Sequence, residues 1–135
     1  LEGVLVVILE SRQRQHRILL AEDNSINSKV VINLLQKFGH SVDLAENGQQ
    51  ALEVVQHIRY DLVLMDIQMP VMDGYEAAEV IRHAERGKRS VIVALTANAM
   101  EGDREKCLAA GMDDYLSKPV NEDELEAVFT RGLKK

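Results

Sequence analysis

At 135 residues the chain suits one domain, long enough to bury roughly two thirds of the surface its unfolded form exposes, so no covalent staple is needed. A formal net charge of -6, from 16 basic and 22 acidic residues, argues against direct binding to nucleic acid or to an anionic membrane surface. The single cysteine, Cys107, excludes an internal disulfide and fits a reducing, cytoplasmic setting.

Residues 1–16 join an apolar run, Val4 to Leu9, to a polar, basic stretch from Ser11 to His16. The run is far shorter than the ~20 residues that cross a bilayer and lacks the flanks of a signal peptide. It reads as strand-like, and the leader as a linker or upstream remnant, which leaves 17–135 as the domain proper.

From Arg17 onward short apolar runs alternate with segments of helical period, the signature of repeated βα units around a parallel sheet. The first strand spans about 17–22, and the helix after it is capped by Asn24 or Ser25. Ile26, Val30, Leu34 and Phe38, widened by Val31 and Leu35, form the stripe expected to face the sheet, and Gly39 ends the helix. Val42 and Leu44 mark a short second strand; Asn47 caps a helix carrying Ala51, Leu52, Val55 and Ile58. The unbroken run Leu62-Val63-Leu64-Met65 predicts a strand covered on both faces. Gly74 opens a helix with Ala77, Ala78 and Ile81, and Val91 to Leu95 is the fourth strand. Ala97 to Ala110 predicts a fourth helix, weakened by Gly102 by roughly 1 kcal/mol relative to Ala. Tyr115-Leu116-Ser117 is the fifth strand, followed by an amphipathic helix with Leu125, Val128, Phe129 and Leu133. The expected fold is α/β: a doubly wound, flavodoxin-like sheet of five parallel strands in the order 2-1-3-4-5, with five helices on its two faces.

Four of these strands end in a polar group: Glu22-Asp23, Asp66, Thr96 and Lys118. Open parallel sheets bind ligands beyond the carboxyl ends of the strands, where strand order reverses, and the order 2-1-3-4-5 puts the first and third strands side by side there. Three clustered carboxylates repel one another by about 4 kcal/mol per pair ~4 Å apart at an effective dielectric of ~20. A divalent cation relieves that repulsion, and Mg²⁺ fits because it takes one or two carboxylates and leaves positions for water and phosphate oxygens. In such a setting one carboxylate can attack phosphorus and form an acyl phosphate. Asp66, on the central buried strand and without an adjacent acid, is the better nucleophile; Lys118 supplies a compact positive charge and Thr96 a hydroxyl for the same phosphoryl group.

Leu20-Ala21-Glu22-Asp23-Asn24, Leu64 to Gly74, Ala94-Leu95-Thr96-Ala97 and Leu116-Ser117-Lys118-Pro119 together resemble the motifs of response-regulator receiver domains, over about 17–133. The resemblance implies that Asp66 is the phosphoacceptor. It implies that Glu22, Asp23, Asp66 and the Gln68 carbonyl hold Mg²⁺, with Glu22 acting through water, and that Thr96 and Lys118 contact the phosphoryl group. By the same resemblance Thr96 and Tyr115 are the switch residues, the Lys118-Pro119 bond is cis, small Ala97 leaves the site open to a donor, and Gln68 and Asn98 act on slow autodephosphorylation. The Asp23-Asn24 pair, with Asn27 and Val30, is most similar to receivers of hybrid sensor histidine kinases, which implies a sensor histidine kinase or a histidine phosphotransfer domain as partner. The chain is then either a standalone receiver or part of a larger protein.

Taken singly, each residue has a plain structural explanation: a cap at Glu22-Asp23, a turn residue at Asp66, a strand-end hydroxyl at Thr96, a surface Lys118. Their joint spacing favours the functional reading. A phosphorylation-independent interaction module of the same fold is the alternative; a turnover phosphatase lacks a second acid two residues after Asp66, where Gln68 stands, and a flavin-binding protein of similar topology would be yellow. His16, His40, His57 and His83 share no ligand spacing and read as solvated surface, while Cys107 reads as a small buried hydrophobe.

Overall fold

In the computed structural model, residues 16–85, 89–97 and 101–133 are described. Five parallel strands, β1 (Arg17–Ala21), β2 (Ser41–Ala45), β3 (Leu62–Asp66), β4 (Val91–Thr96) and β5 (Asp114–Ser117), lie in the order β2-β1-β3-β4-β5. Five helices alternate with them among the described residues: α1 (Ser25–Lys37), α2 (Gly48–Val55), α3 (Gly74–Ala84), α4 (Glu101–Ala109) and α5 (Glu122–Leu133). The order and the parallel pairing are those expected. The expectation for residues 1–15 lies outside the described residues.

Alternation along each strand sends neighbouring side chains to opposite faces, and both faces are covered. Ile18, Leu20, Leu62, Leu64, Val93, Leu95 and Leu116 pack with Val31 and Leu35 of α1 and with Leu125 and Val128 of α5. On the other face Leu19, Ala21, Val63, Met65, Ile92 and Ala94 meet Ala51 of α2, Ala77, Ala78 and Ile81 of α3, and Cys107 of α4. All five residues of β3 are buried, which is why its sequence shows no polar alternation. Cys107, 2% exposed, is the buried hydrophobe expected.

Four helix starts among the described residues follow from side-chain caps, that of α5 through Asn121 Oδ1, which accepts from the Glu124 amide. Asn24 Oδ1 accepts from the amides of Ile26 and Asn27, Asn47 Oδ1 from Gln50, and Asp73 Oδ1 from Glu76. Asn24, not Ser25, is thus the first cap. Between β3 and α3 the chain doubles back so tightly that a Cβ on Gly74 would lie 2.4 Å from the Asp66 carbonyl oxygen. Only glycine permits that approach.

Two elements depart from the sequence reading. Ile26 is 73% exposed and Val30 is 47% exposed, so the N-terminal half of the stripe expected on α1 faces solvent. A spacing of four residues turns about 400° on an α-helix, so each step drifts by about 40° and a stripe of 26, 30, 34 and 38 winds off its face. Ser28, Val31 and Leu35 are buried in its place. Ala97, where the fourth helix is expected to start, lies in a bend, and the described part of that helix is Glu101–Ala109.

Candidate functional site

The carboxyl ends of β1, β3, β4 and β5 meet at one rim, because the register sets Ala21 beside Met65, Asp66 beside Leu95, and Thr96 beside Ser117. Glu22 continues the ladder through its amide to the Ala45 carbonyl at 3.0 Å, and the Lys118 amide donates to the Thr96 carbonyl at 2.7 Å. The polar residues that follow each strand are therefore fixed by backbone bonds before any side chain is considered. The Lys118-Pro119 peptide is cis, as expected.

Glu22, Asp66 and Thr96 are buried, while Asp23 is exposed. Carboxylate oxygens of Glu22, Asp23 and Asp66 all lie within 4.8 Å of one another. Lys118 Nζ stands 2.8 Å from Asp66 Oδ2 and 3.0 Å from Glu22 Oε2. Asp66 Oδ1 accepts the Gln68 amide at 3.0 Å, and Glu22 Oε1 accepts the Asn24 amide at 3.2 Å. Each buried carboxylate is thus held from two sides.

Burial pushes the Glu22 carboxyl up from the usual range; Lys118 opposes this and Asp66 adds to it. Burial works to lower Lys118, but Asp66 and Glu22 outweigh it and hold the ammonium above its ordinary value. Lys118 is therefore charged, and three carboxylates face one ammonium. Glu22 Oε2, though close to Lys118, makes no aligned hydrogen bond, so a buried oxygen remains available to a hard cation or to its water. The donor set is all oxygen and overcharged, which fits Mg²⁺ and not a soft metal.

The structure brings together Glu22, Asp23, Asp66 and Lys118 directly, with the Gln68 backbone anchored to Asp66 and Thr96 at the end of the next strand. Tyr115 pairs in register with Ala94, two residues before Thr96, and packs half-buried against the core. Asn98 lies outside the described residues. His57 and His83 are exposed as expected, whereas His16 and His40 are half-buried and stack with Phe129; their spacing of 24 residues gave no sign of this.

What the sequence reading missed is a set of exposed apolar side chains on the segments that follow Asp23 and Asp66. Ile26 and Val30 on α1, which starts two residues after Asp23, and Val71, 83% exposed and five residues after Asp66, are exposed large apolar side chains. The drift of a four-residue repeat was the available signal for the first two.

The family model described as the response regulator receiver domain matches residues 18–130. The chain is 37% identical over 130 residues to the signal transduction histidine-protein kinase BarA of Escherichia coli, covering 96% of this chain but 14% of that kinase. The receiver domain of the Pseudomonas aeruginosa sensor histidine kinase PA1611, solved with a magnesium ion coordinated in its active-site cleft, superposes with a TM-score of 0.82 at 46% identity, over 90% of this chain and 99% of that one. The Saccharomyces cerevisiae receiver of Ssk1, solved with the histidine phosphotransfer protein Ypd1, gives a TM-score of 0.79 at 37% identity, over 87% of this chain and 88% of the matched chain.

Proposed function

Because the chain belongs to the response regulator receiver domain family, we propose that it works as a phosphorylation-controlled switch whose phosphoacceptor is Asp66. It is a receiver of two-component phosphorelay signalling. The observation that carries the finer reading is the geometry at one rim: a buried carboxylate gripped by Lys118 at 2.8 Å, beside two further acids.

In this reading Glu22, Asp23, Asp66 and the Gln68 carbonyl hold Mg²⁺, which supplies charge neutralisation for the transferred group. An Asp66 carboxylate oxygen forms the new P–O bond while the P–N bond of a partner's phosphohistidine breaks, and the imidazole keeps the electron pair and takes a proton from solvent. Lys118 exchanges its contact with Asp66 for one with the phosphoryl oxygens, and the Thr96 hydroxyl donates to another of them. Thr96 and Tyr115, on adjacent strands, then draw inward together and shift the equilibrium of the β4-α4-β5 surface toward the phosphorylated state. Gln68 and Asn98 are assigned the slow hydrolysis that resets the switch.

The partner is a sensor histidine kinase or a histidine phosphotransfer domain. Exposed Ile26 and Val71, three residues after Asp23 and five after Asp66, support this, because exposed apolar side chains suit packing against an amphipathic helix that carries the donor histidine. The match to Ssk1, whose structure includes Ypd1, supports the same choice.

Incubation with a phosphorylated histidine phosphotransfer domain or a small phosphodonor, with Mg²⁺, is expected to label the parent and not Asp66→Asn, read by intact mass before and after hydroxylamine treatment. Equal labelling of the two would remove Asp66 as acceptor. Absence of labelling in both, with partner binding intact, would favour the phosphorylation-independent module.

A further inference from the structure

At the end of the sheet opposite the carboxylates, the chain enters β1 through a stack of three rings. His40 stacks against His16, with centroids 5.5 Å apart, and against Phe129 of α5, 4.6 Å away, while His16 and Phe129 are 6.4 Å apart. The His16 amide donates to His40 Nδ1 at 3.1 Å, and the His16 carbonyl accepts the Ser41 amide at 3.0 Å. A backbone N–H can only donate, so His40 Nδ1 carries no proton in this arrangement and the ring is neutral. The His40 backbone is itself pinned by its amide to the Leu35 carbonyl at 3.1 Å, so its main chain does not travel with His16 if that strand end moves.

We propose that His40 is an acid-sensitive latch: as the neutral ring it fastens the chain at His16 to the sheet and to α5, and protonation at Nδ1 releases that point. A proton on Nδ1 would face the His16 N–H donor to donor, which removes the bond and repels the amide. The charged groups around His40 act in the same direction or too weakly to prevent it. His16 faces it from the start of β1; Asp61, ahead of β3, stands 3.6 Å from His16 Nδ1 and takes the Arg17 amide at 2.9 Å; α5 presents Phe129, which does not ionise. Burial and the charge of His16 hold His40 below its ordinary range, against a smaller opposing pull from Asp61. The closed form thus binds the proton less readily than the open one, and acid favours opening.

The latch sits at the entry to β1, so its release frees that strand end without touching Asp66 or Lys118. Hydrogen exchange at the His16 amide, corrected for the intrinsic rate and followed by NMR from pH 7.5 to 5, tests it alongside the ring shifts of both histidines. Protection is expected to fall by up to about tenfold per pH unit below about pH 6.5, tracking His40. His40→Asn, whose Oδ1 can accept the same bond but does not titrate, should hold protection flat. Protection that stays constant in the parent, that follows His16 and not His40, or that falls equally in His40→Asn overturns the latch.

Discussion

Lys118 stands between two acids that cannot leave the protein interior: Glu22 is 3% exposed and Asp66 is 2% exposed. Removing one partner of such a group leaves uncompensated buried charge, which costs about 3–5 kcal/mol where burial is complete. With the Lys118 side chain 21% exposed, water reaches part of the site, and the lower end applies. Lys118→Met is therefore expected to lose about 3 kcal/mol in chelator-treated buffer at pH 7 and to regain most of it on adding Mg²⁺, measured by urea unfolding. A loss that Mg²⁺ leaves untouched would mean that the ammonium and the metal do not share this charge. Val71 shows another residue held against its preference. Its φ is 72°, and the Met72 amide closes back on the Pro70 carbonyl at 2.8 Å, a tight γ-turn that a β-branched side chain resists. The loop that carries Gln68 past the site is thus kept in shape by its two anchors, the Gln68 amide on Asp66 and Gly74 against the Asp66 backbone.

Among the elements, the far ends of α3, β4 and α4 are tied by one side chain. Arg82 donates from Nε to the Gly111 carbonyl at 2.7 Å, from Nη1 to Glu85 at 2.9 Å and to the Ser90 carbonyl at 2.8 Å, and from Nη2 to Asp113 at 2.7 Å. Gly111, with φ +92°, ends α4 against the Arg82 stem, where a Cβ would come within 2.9 Å of Cγ. Asp113 in turn accepts from Arg89 and from the Ile92 amide, and Glu85 accepts from Ser90. Burial raises Glu85, but Ser90 and Arg82 outweigh it and hold the carboxyl below its usual range. Its contribution is thus present above about pH 4.5 and is lost as pH falls through the lowered value. Arg82→Ala is expected to cost about 3 kcal/mol, and Arg82→Lys to recover less than half, because an ammonium lacks the planar fork; urea midpoints at pH 7 decide it. None of this network is visible in sequence, since its members span 82 to 113 with no shared motif. The carboxylate rim was legible because a polar residue that ends an unbroken apolar run marks the end of its strand, and the right-handed crossovers of βα units then limit the sheet order. The phase of α1 was not: Ile26 and Val30 lie outside because Asn24 starts the helix and Ser28, a polar residue, takes a buried place. The stack of His16, His40 and Phe129 depends on where three separate elements end, which composition and spacing do not carry.

Across the whole molecule, proton-linked stability runs in opposite senses at the two ends of the sheet. At the carboxylate rim the Glu22 carboxyl is raised chiefly by burial, so its protonated form suits the fold; the stability it lends is full below about pH 4.5 and is lost as pH rises through its elevated value. At the other end His40 is lowered, so its effect is to weaken the fold as pH falls below about 6.5. Metal-free protein near neutrality therefore carries strain at the acidic rim, and a divalent cation is the natural counterweight because it binds only the deprotonated set. Mg²⁺ at a hundredfold excess over its dissociation constant adds about 2.7 kcal/mol by mass action, or roughly 10 °C in Tm for a domain of this size. The expected result is a large Mg²⁺-dependent rise in Tm at pH 7.5 that shrinks markedly at pH 5, when calorimetric scans with Mg²⁺ and with chelator are compared. Asp66→Asn should reduce the rise at pH 7.5, since it removes one of the three carboxylates. A rise of the same size at both pH values would mean that the cation binds away from Glu22, and the charge balance that joins metal, lysine and phosphoacceptor at this rim would have to be given up.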